Sequence, residues 1–302
     1  MRTSLRPAAL VLAALLVAAC STGASPTPTP TSAADACAKD NLALVAPGKI
    51  TIGTDNPAYQ PYFMPREGGN TSPWEGDYVG DPTTGEGFES AVAYEVAKRL
   101  GFAPAEVAWI PVKFDNSYAP GPKPFDFYLA QVSYKPERAA TADLSDGYYF
   151  VNQAVVALKD NPVASAKTIS DLQKYKFGAM QGTTSYDLIG STIKPEQATS
   201  VYDSNDAAIA ALNAKQIDGI VVDLPAAFIM IATEQVENGV IVGQFPIPTG
   251  ADAEHYSLVL TKGSPLTACV NQALAAMKSD GSLETITKEW LADKTNAPVF
   301  TP

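Results

Sequence analysis

Only one of the 302 residues is histidine and only three are cysteine, and that scarcity removes whole classes of chemistry. Zinc and copper sites draw on several imidazoles or thiolates at once, and no Ser/His/Asp or Cys/His set can be assembled around His255 alone. No metal, no cofactor and no catalytic residue is therefore expected, and His255 reads as structural. The chain also lacks a GxGxxG fingerprint and a Walker loop, so a nucleotide phosphate has no ready cradle. Positive charge is short as well: 21 Lys and Arg face 32 Asp and Glu, a net charge of −11, which argues against nucleic acid as a partner. Beyond the N-terminus no apolar run approaches the roughly 20 residues that span a bilayer.

What is present starts with an address. Arg2 and Arg6 precede an apolar run from Ala8 to Val17, too short to span a bilayer, and small residues lead into Cys20. This reads as a secretion signal over residues 1–19. Val17-Ala18-Ala19-Cys20 resembles the bacterial lipobox, which implies cleavage before Cys20, a diacylglyceryl group on its sulfur, and anchoring to the outer face of the cytoplasmic membrane through that lipid only. An ordinary signal peptide cut nearby is the alternative. Residues 20–36 are rich in Pro, Thr, Ser and Ala with almost nothing to bury, so they read as a tether; extended, such a segment reaches roughly 50 Å. Losing Arg2 and Arg6 leaves 19 basic residues against 32 acidic, a mature charge of −13. The rest, roughly 265 residues, suffices for two moderate domains. With Cys20 lipidated, Cys37 and Cys269 remain as an even pair in an oxidising compartment, which suggests a disulfide; two free buried thiols are the other reading.

The order of elements is strand, helix, strand, helix. Strands are expected near 50–54, 107–112, 127–132, 153–158, 176–180, 217–223 and 255–260. Helices are expected around Val92, Val96 and Leu100, over 207–214, around Leu266 to Met277, and over 283–291. Residues 64–87 show no periodicity and read as a long surface loop. Alternation of this kind argues for α/β lobes with helices on both faces of mixed or parallel sheets.

Four strand ends carry chemistry. Arg138 sits just after Pro136, in the opening turn of a helix that follows the strand at 127–132. Ligands in open α/β sheets bind at the carboxyl ends of strands, where helix N–H groups are free, and an arginine there can clamp a carboxylate. Spacing alone equally allows a surface arginine paired with Glu137 or Asp143. Gln181-Gly182-Thr183-Thr184-Ser185 repeats the strand, tight turn and helix start. Asp55 and Asp223 end apolar strands, and Asp223 doubles as a candidate cap for the segment at Pro225. Together these groups offer a cation, N–H donors and an acid, the set that grips a zwitterion.

Six segments, TIGTDNPAY (51–59), GFESAVAYEVAKRLG (87–101), FDF…SYKPER…DLSDGYY (125–149), QGTTS (181–185), IDGIVVD (217–223) and KGSPL…VNQAL…DGSLETITKEW (262–290), occur in an order and spacing that resembles the family 3 extracytoplasmic solute-binding proteins of polar amino-acid ABC transporters. The resemblance implies a two-lobed type II periplasmic-binding fold. Lobe 1 would comprise 37–150 and 256–302, lobe 2 would comprise 151–255, and a two-crossing hinge would lie near Phe150 and His255. It implies an amino-acid binder, expected to be a monomer, that passes its ligand to ABC permease subunits; Asp55, able to pair with a cationic side chain or accept from an amide, favours glutamine, another polar amino acid or a basic one. It further implies that Arg138 holds the α-carboxylate with the Thr184 amide and the Ser133 hydroxyl, and that Asp223 takes the α-ammonium with help from the Gln131 backbone. Asp55 would reach the ligand side chain, between aromatic walls Tyr59 and Phe114. Two positions depart from the family pattern: Ser90-Ala91 after GFE, and Lys135 before the PER motif. An enzyme resembling cyclohexadienyl dehydratase on the same scaffold, or a sensory binding module, are the alternatives.

Overall fold

Apolar residues on both sides of the chain bury Ile50–Thr54 along its whole length, the pattern of a strand inside a helix-covered parallel sheet. The computed structural model describes residues 36–76, 78–246, 253–291 and 297–301. Its strands are β1 (Ile50–Thr54), β2 (Val107–Pro111), β3 (Phe127–Tyr128), β4 (Ala142–Leu144), β5 (Tyr149–Phe150), β6 (Gln153–Leu158), β7 (Phe177–Met180), β8 (Ser200–Tyr202), β9 (Gly219–Asp223), β10 (Gly239–Gln244), β11 (His255–Tyr256) and β12 (Val259–Thr261). They form two five-stranded sheets, ordered β2-β1-β3-β12-β4 and β10-β6-β9-β7-β8, and a two-stranded ribbon of β5 and β11. In the first sheet β1 runs parallel to β2 and β3, and β12 runs antiparallel to β3 and β4. In the second, β7 is parallel to β8 and β9, while β6 is antiparallel to β9 and β10.

Each sheet has its own core. Ile50, Ile52 and Phe127 pack with Val92 and Val96 of the helix Phe88–Arg99 and with Val270, Leu274 and Met277 of the helix Leu266–Ser279. In the second lobe Val156, Ile220 and Val222 meet Leu212 and Ala227, and Phe177 and Val221 pack on the opposite face. At about 1.5–3 kcal/mol per fully buried large apolar side chain, either set is a core in its own right. Between them the chain crosses at β5 and returns at β11, paired as Phe150 with His255 and Tyr149 with Tyr256. This two-stranded ribbon lies between the two five-stranded sheets in chain order.

Several boundaries differ from expectation. The strand expected over 127–132 pairs only at Phe127–Tyr128, because Gln131 turns at φ +53° and carries the chain off the sheet. The strand expected over 255–260 is broken between β11 and β12, where Ser257 N–H bonds to Val132 O and Leu258 N–H to the Ser145 hydroxyl. Residues 64–87 are largely irregular and surface-lying, as expected, but the loop is anchored: Trp74 and Asp81 are buried, and Asp81 accepts from Arg66, Thr71 and Thr83. Ser90, one of the departures from the family pattern, ties the neighbouring helix to this loop by donating to Pro82 O. Gly87 starts that helix at φ +96°, where a Cβ would stand 2.6 Å from Tyr62 O.

The end of the chain also departs from its expected place in lobe 1. Residues 297–301 lie against lobe 2: Val299 bridges Gln244, Thr301 bridges Thr168, and Phe300 is buried with Phe245 and Val242. An apolar Phe with an open slot beside Gly243, whose missing side chain admits the ring, accounts for this. Cys37 and Cys269 form a disulfide. The expectations for residues 1–35, including the signal and the lipidation of Cys20, lie outside the described residues.

Candidate functional site

The Arg138 corner is built by two turns. Pro136 occupies the first position of the short helix Pro136–Thr141, where its missing N–H costs nothing, and this aims Arg138 back under β3. The guanidinium is buried. Its Nη1 donates to Ser133 O at 2.5 Å and its Nη2 to Gly182 O at 2.8 Å, the second bond reaching across to lobe 2. The rings of Phe114 and Tyr118 flank it at 5.2 and 4.7 Å. Among the described residues Arg138 makes no ion pair; Asp143, the candidate surface partner, bonds Thr267 and Lys262 instead. A guanidinium has five N–H donors; two go to these carbonyls, and Tyr118 is also hydrogen-bonded to the group.

Opposite stands Asp223, at the end of β9 and immediately before the helix Leu224–Ala232. Its Oδ2 accepts from Tyr256 Oη at 2.6 Å, and Tyr256 in turn meets Tyr62 at 3.1 Å. As a cap it makes no side-chain bond to the helix. Burial, then the charge of Glu254, pushes its carboxyl up to about 8. Asp55, at the end of β1, is pushed up to about 6 by burial, against the opposing N–H bonds from Asn56 and Phe114. Two acids in one cleft are therefore both held toward their neutral forms.

Gln131 is positioned by a residue that sequence reasoning did not assign. The carboxylate of Glu89, fully buried near the start of the helix Phe88–Arg99, accepts from the Gln131 N–H at 2.7 Å and also from its side-chain amide and from Tyr148. Burial pushes Glu89 up to about 7. Tyr59 reaches toward lobe 2, where the nearby Asp206 adds to the burial that raises its phenol.

Ser133 and Thr184 face each other across the lobes, but their hydroxyls do not wait for an anion. Ser133 Oγ donates to Glu254 Oε1 at 2.6 Å, and Thr184 Oγ1 donates to the same oxygen. Gln153 Nε2 adds bonds to both carboxylate oxygens at 3.1 Å and one to Thr184 Oγ1 at 3.0 Å. The Ser133 hydroxyl, expected to contribute to ligand binding, is here engaged with Glu254. Glu254, Gln153, Glu89 and Tyr256 escaped sequence reading because their partners lie 31 to 121 residues away and follow no periodicity. The one available signal was the place of Glu254, directly before the expected hinge strand.

A single cleft of about 900 Å³, part of it open to solvent, is lined by Asp55, Tyr59, Phe114, Gln131, Ser133, Arg138, Thr184 and Asp223 together. Lobe 1 contributes the first six and lobe 2 the last two. Lys135, the second departure from the family pattern, pairs with Asp187 across the same gap. Among the described residues no group of three or more His, Cys, Asp or Glu is placed to hold a metal, and no helix is long and apolar enough to cross a membrane. Chemically, the cleft offers an under-used guanidinium on one bank and a buried acid on the other.

Comparison with known proteins agrees with this geometry. The L-cystine-binding protein TcyJ of Escherichia coli K12 is 28% identical over 215 residues, covering 70% of this chain and 77% of that protein. The arginine-binding extracellular protein ArtP of Bacillus subtilis 168 is 26% identical over 281 residues, 91% of this chain and 96% of that one. Among solved structures, an ancestral arginine-binding protein bound to glutamine matches with a TM-score of 0.64 at 26% identity, over 81% of this chain and 98% of its own. These relatives are binding proteins rather than enzymes, and the fold is the two-lobed type II periplasmic-binding architecture. The model of the bacterial extracellular solute-binding proteins, family 3, matches residues 68–293, and the chain belongs to that family.

Proposed function

We propose that this protein captures a free polar amino acid, glutamine or a basic one, between its lobes and presents it to an ABC permease, held at the outer face of the cytoplasmic membrane by lipid on Cys20. One observation carries the reading: Arg138 and Asp223 open on the same cleft from opposite lobes. A molecule bearing a carboxylate and an ammonium satisfies both, and in doing so ties the lobes together, as hinge closure requires. The N–H donors left on Arg138 beyond those on Ser133 O and Gly182 O suit a carboxylate. Asp223 suits the ammonium, since a cation beside it restores the charge that burial suppresses.

The other end of the cleft favours a polar side chain. Asp55 stands there beside Thr54, whose buried hydroxyl has no partner. An amide or a cationic side chain can donate to the Asp55 carboxylate and to Thr54 Oγ1, and an ionised acidic side chain cannot. The names of the relatives, which include arginine-, cystine- and glutamine-binding proteins, support the same class. The deciding experiment is a thermal-shift screen of the purified folded region against the twenty amino acids, because a ligand that binds only the folded state raises its melting temperature. A rise with basic amino acids or glutamine is expected; a flat response to all twenty rejects the reading.

A further inference from the structure

Glu254, like Glu89, does not itself line the cleft, but it bonds the hydroxyls of Ser133 and Thr184, which do. Its carboxylate receives three neutral donors, the two hydroxyls and the Gln153 amide, and among the described residues it has no cationic partner. The Gln153 amide is fixed in orientation because its Oε1 accepts from Ser185 Oγ at 2.5 Å, which leaves Nε2 as the donor. A hydroxyl has one proton and two lone pairs. Once that proton is directed at Glu254, the oxygen can offer the cleft only lone pairs.

We propose that Glu254 is a positioning residue that sets the charge selectivity of the cleft, by taking the Ser133 and Thr184 protons so that both oxygens meet the ligand as acceptors. This rests on the amino-acid reading above and extends it. A wall of acceptors at 2 % exposed Ser133 and at Thr184 repels a second carboxylate and welcomes N–H donors, so the ligand carboxylate depends on Arg138 while donors elsewhere on the ligand are favoured. The preferred substrate class is then an amino acid of net positive charge. The negative field of Glu254 reaches further, since it is the second cause, after burial, of the raised Asp223 carboxyl.

The test is calorimetric titration of lysine, glutamine and glutamate into the wild-type protein and Glu254→Gln. The neutral amide can donate to the hydroxyls, which frees their protons for the cleft. The wild type is expected to prefer lysine, and the ratio of the glutamate Kd to the lysine Kd is expected to fall about tenfold or more in the variant, equivalent to about 1.4 kcal/mol. A merely structural role would weaken all three ligands alike, and that result, or an unchanged ratio, overturns the proposal. Ser133→Ala gives an independent readout should Glu254→Gln fold poorly: losing an acceptor weakens lysine more than glutamate, whereas the reverse order shows a donating hydroxyl and overturns the proposal. Failure of the wild type to bind any amino acid removes the underlying reading and this inference with it, a result distinct from binding with an unchanged ratio.

Discussion

The two banks of the cleft solve opposite electrostatic problems. On the lobe 1 side Arg138 is buried yet well accommodated, its charge spread over two backbone carbonyls and two aromatic faces. On the lobe 2 side Asp223 has one tyrosine hydroxyl and two nearby acids, Glu254 and Glu89, which oppose its ionisation. A cation that is comfortable before the ligand arrives gives a rigid docking point. An acid that is uncomfortable before the ligand arrives gains most from a cation. The contrast teaches that ligand recognition is preorganised at one end of the cleft and driven by charge compensation at the other.

The sharpest way to break the contrast is Arg138→Ala. Removing one partner from a buried charge pair costs about 3–5 kcal/mol, so binding should weaken by about 10² to 10³ or more. The melting temperature should fall too, because Ser133 O and Gly182 O lose their donor. Calorimetry with unchanged affinity would dispose of the role given to Arg138.

Asp223→Asn should separate function from stability in the other direction. Binding is expected to drop by about a hundredfold, since the charge that meets the ammonium is gone. The ligand-free variant, however, should be more stable than the wild type. The Asp223 carboxyl is raised from 3.8 to about 8, so the folded state holds a proton that the unfolded state releases, and wild-type stability declines as pH rises between those values. Asparagine has no such decline. Its advantage in melting temperature should be larger at pH 8 than at pH 5, by about 2 °C or more; an equal or reversed difference contradicts the assignment of the shift.

The same titration should appear in affinity. The ligand ammonium requires ionised Asp223, which below about pH 8 must first lose its proton. Binding of a cationic amino acid should therefore strengthen by up to about tenfold between pH 6 and pH 7 and level off above pH 8. Asp55, raised to about 6, steepens the loss at still lower pH. A flat profile over this range would show that Asp223 is ionised without a ligand. The smallest effect is expected of Lys135→Gln, which removes the partner of the half-exposed Asp187 across the cleft mouth. Such pairs contribute about 0–1 kcal/mol, so affinity should change less than about fivefold and the difference should shrink at high salt.

How much of this was legible in the sequence depends on whether the cause was local. Strand ends at Asp55 and Asp223, the helix start that carries Arg138, and the glycine corner at Gly182 follow from apolar runs, prolines and glycines within a few residues, and these positions converge on one cleft. The breadth of the motif order made the two-lobed architecture readable as well. What was not legible depends on partners far along the chain. Glu254 acts through residues 70 and 121 positions away, Glu89 through Gln131 and Tyr148, and Phe300 through an opening at Gly243. The loop at 64–87 was legible as a loop, but its anchoring was not, for the same reason: its polar composition conceals Asp81, whose donors come from Arg66, Thr71 and Thr83.

The Cys37–Cys269 bridge has a mechanical meaning. It fastens the first described stretch of the chain to the long helix Leu266–Ser279 in the core of lobe 1. Any pull transmitted along the residues before Cys37 therefore enters that lobe through a covalent bond rather than by peeling off the segment that follows. The segment around Cys37 and the helix Leu266–Ser279 thus respond to load as one piece.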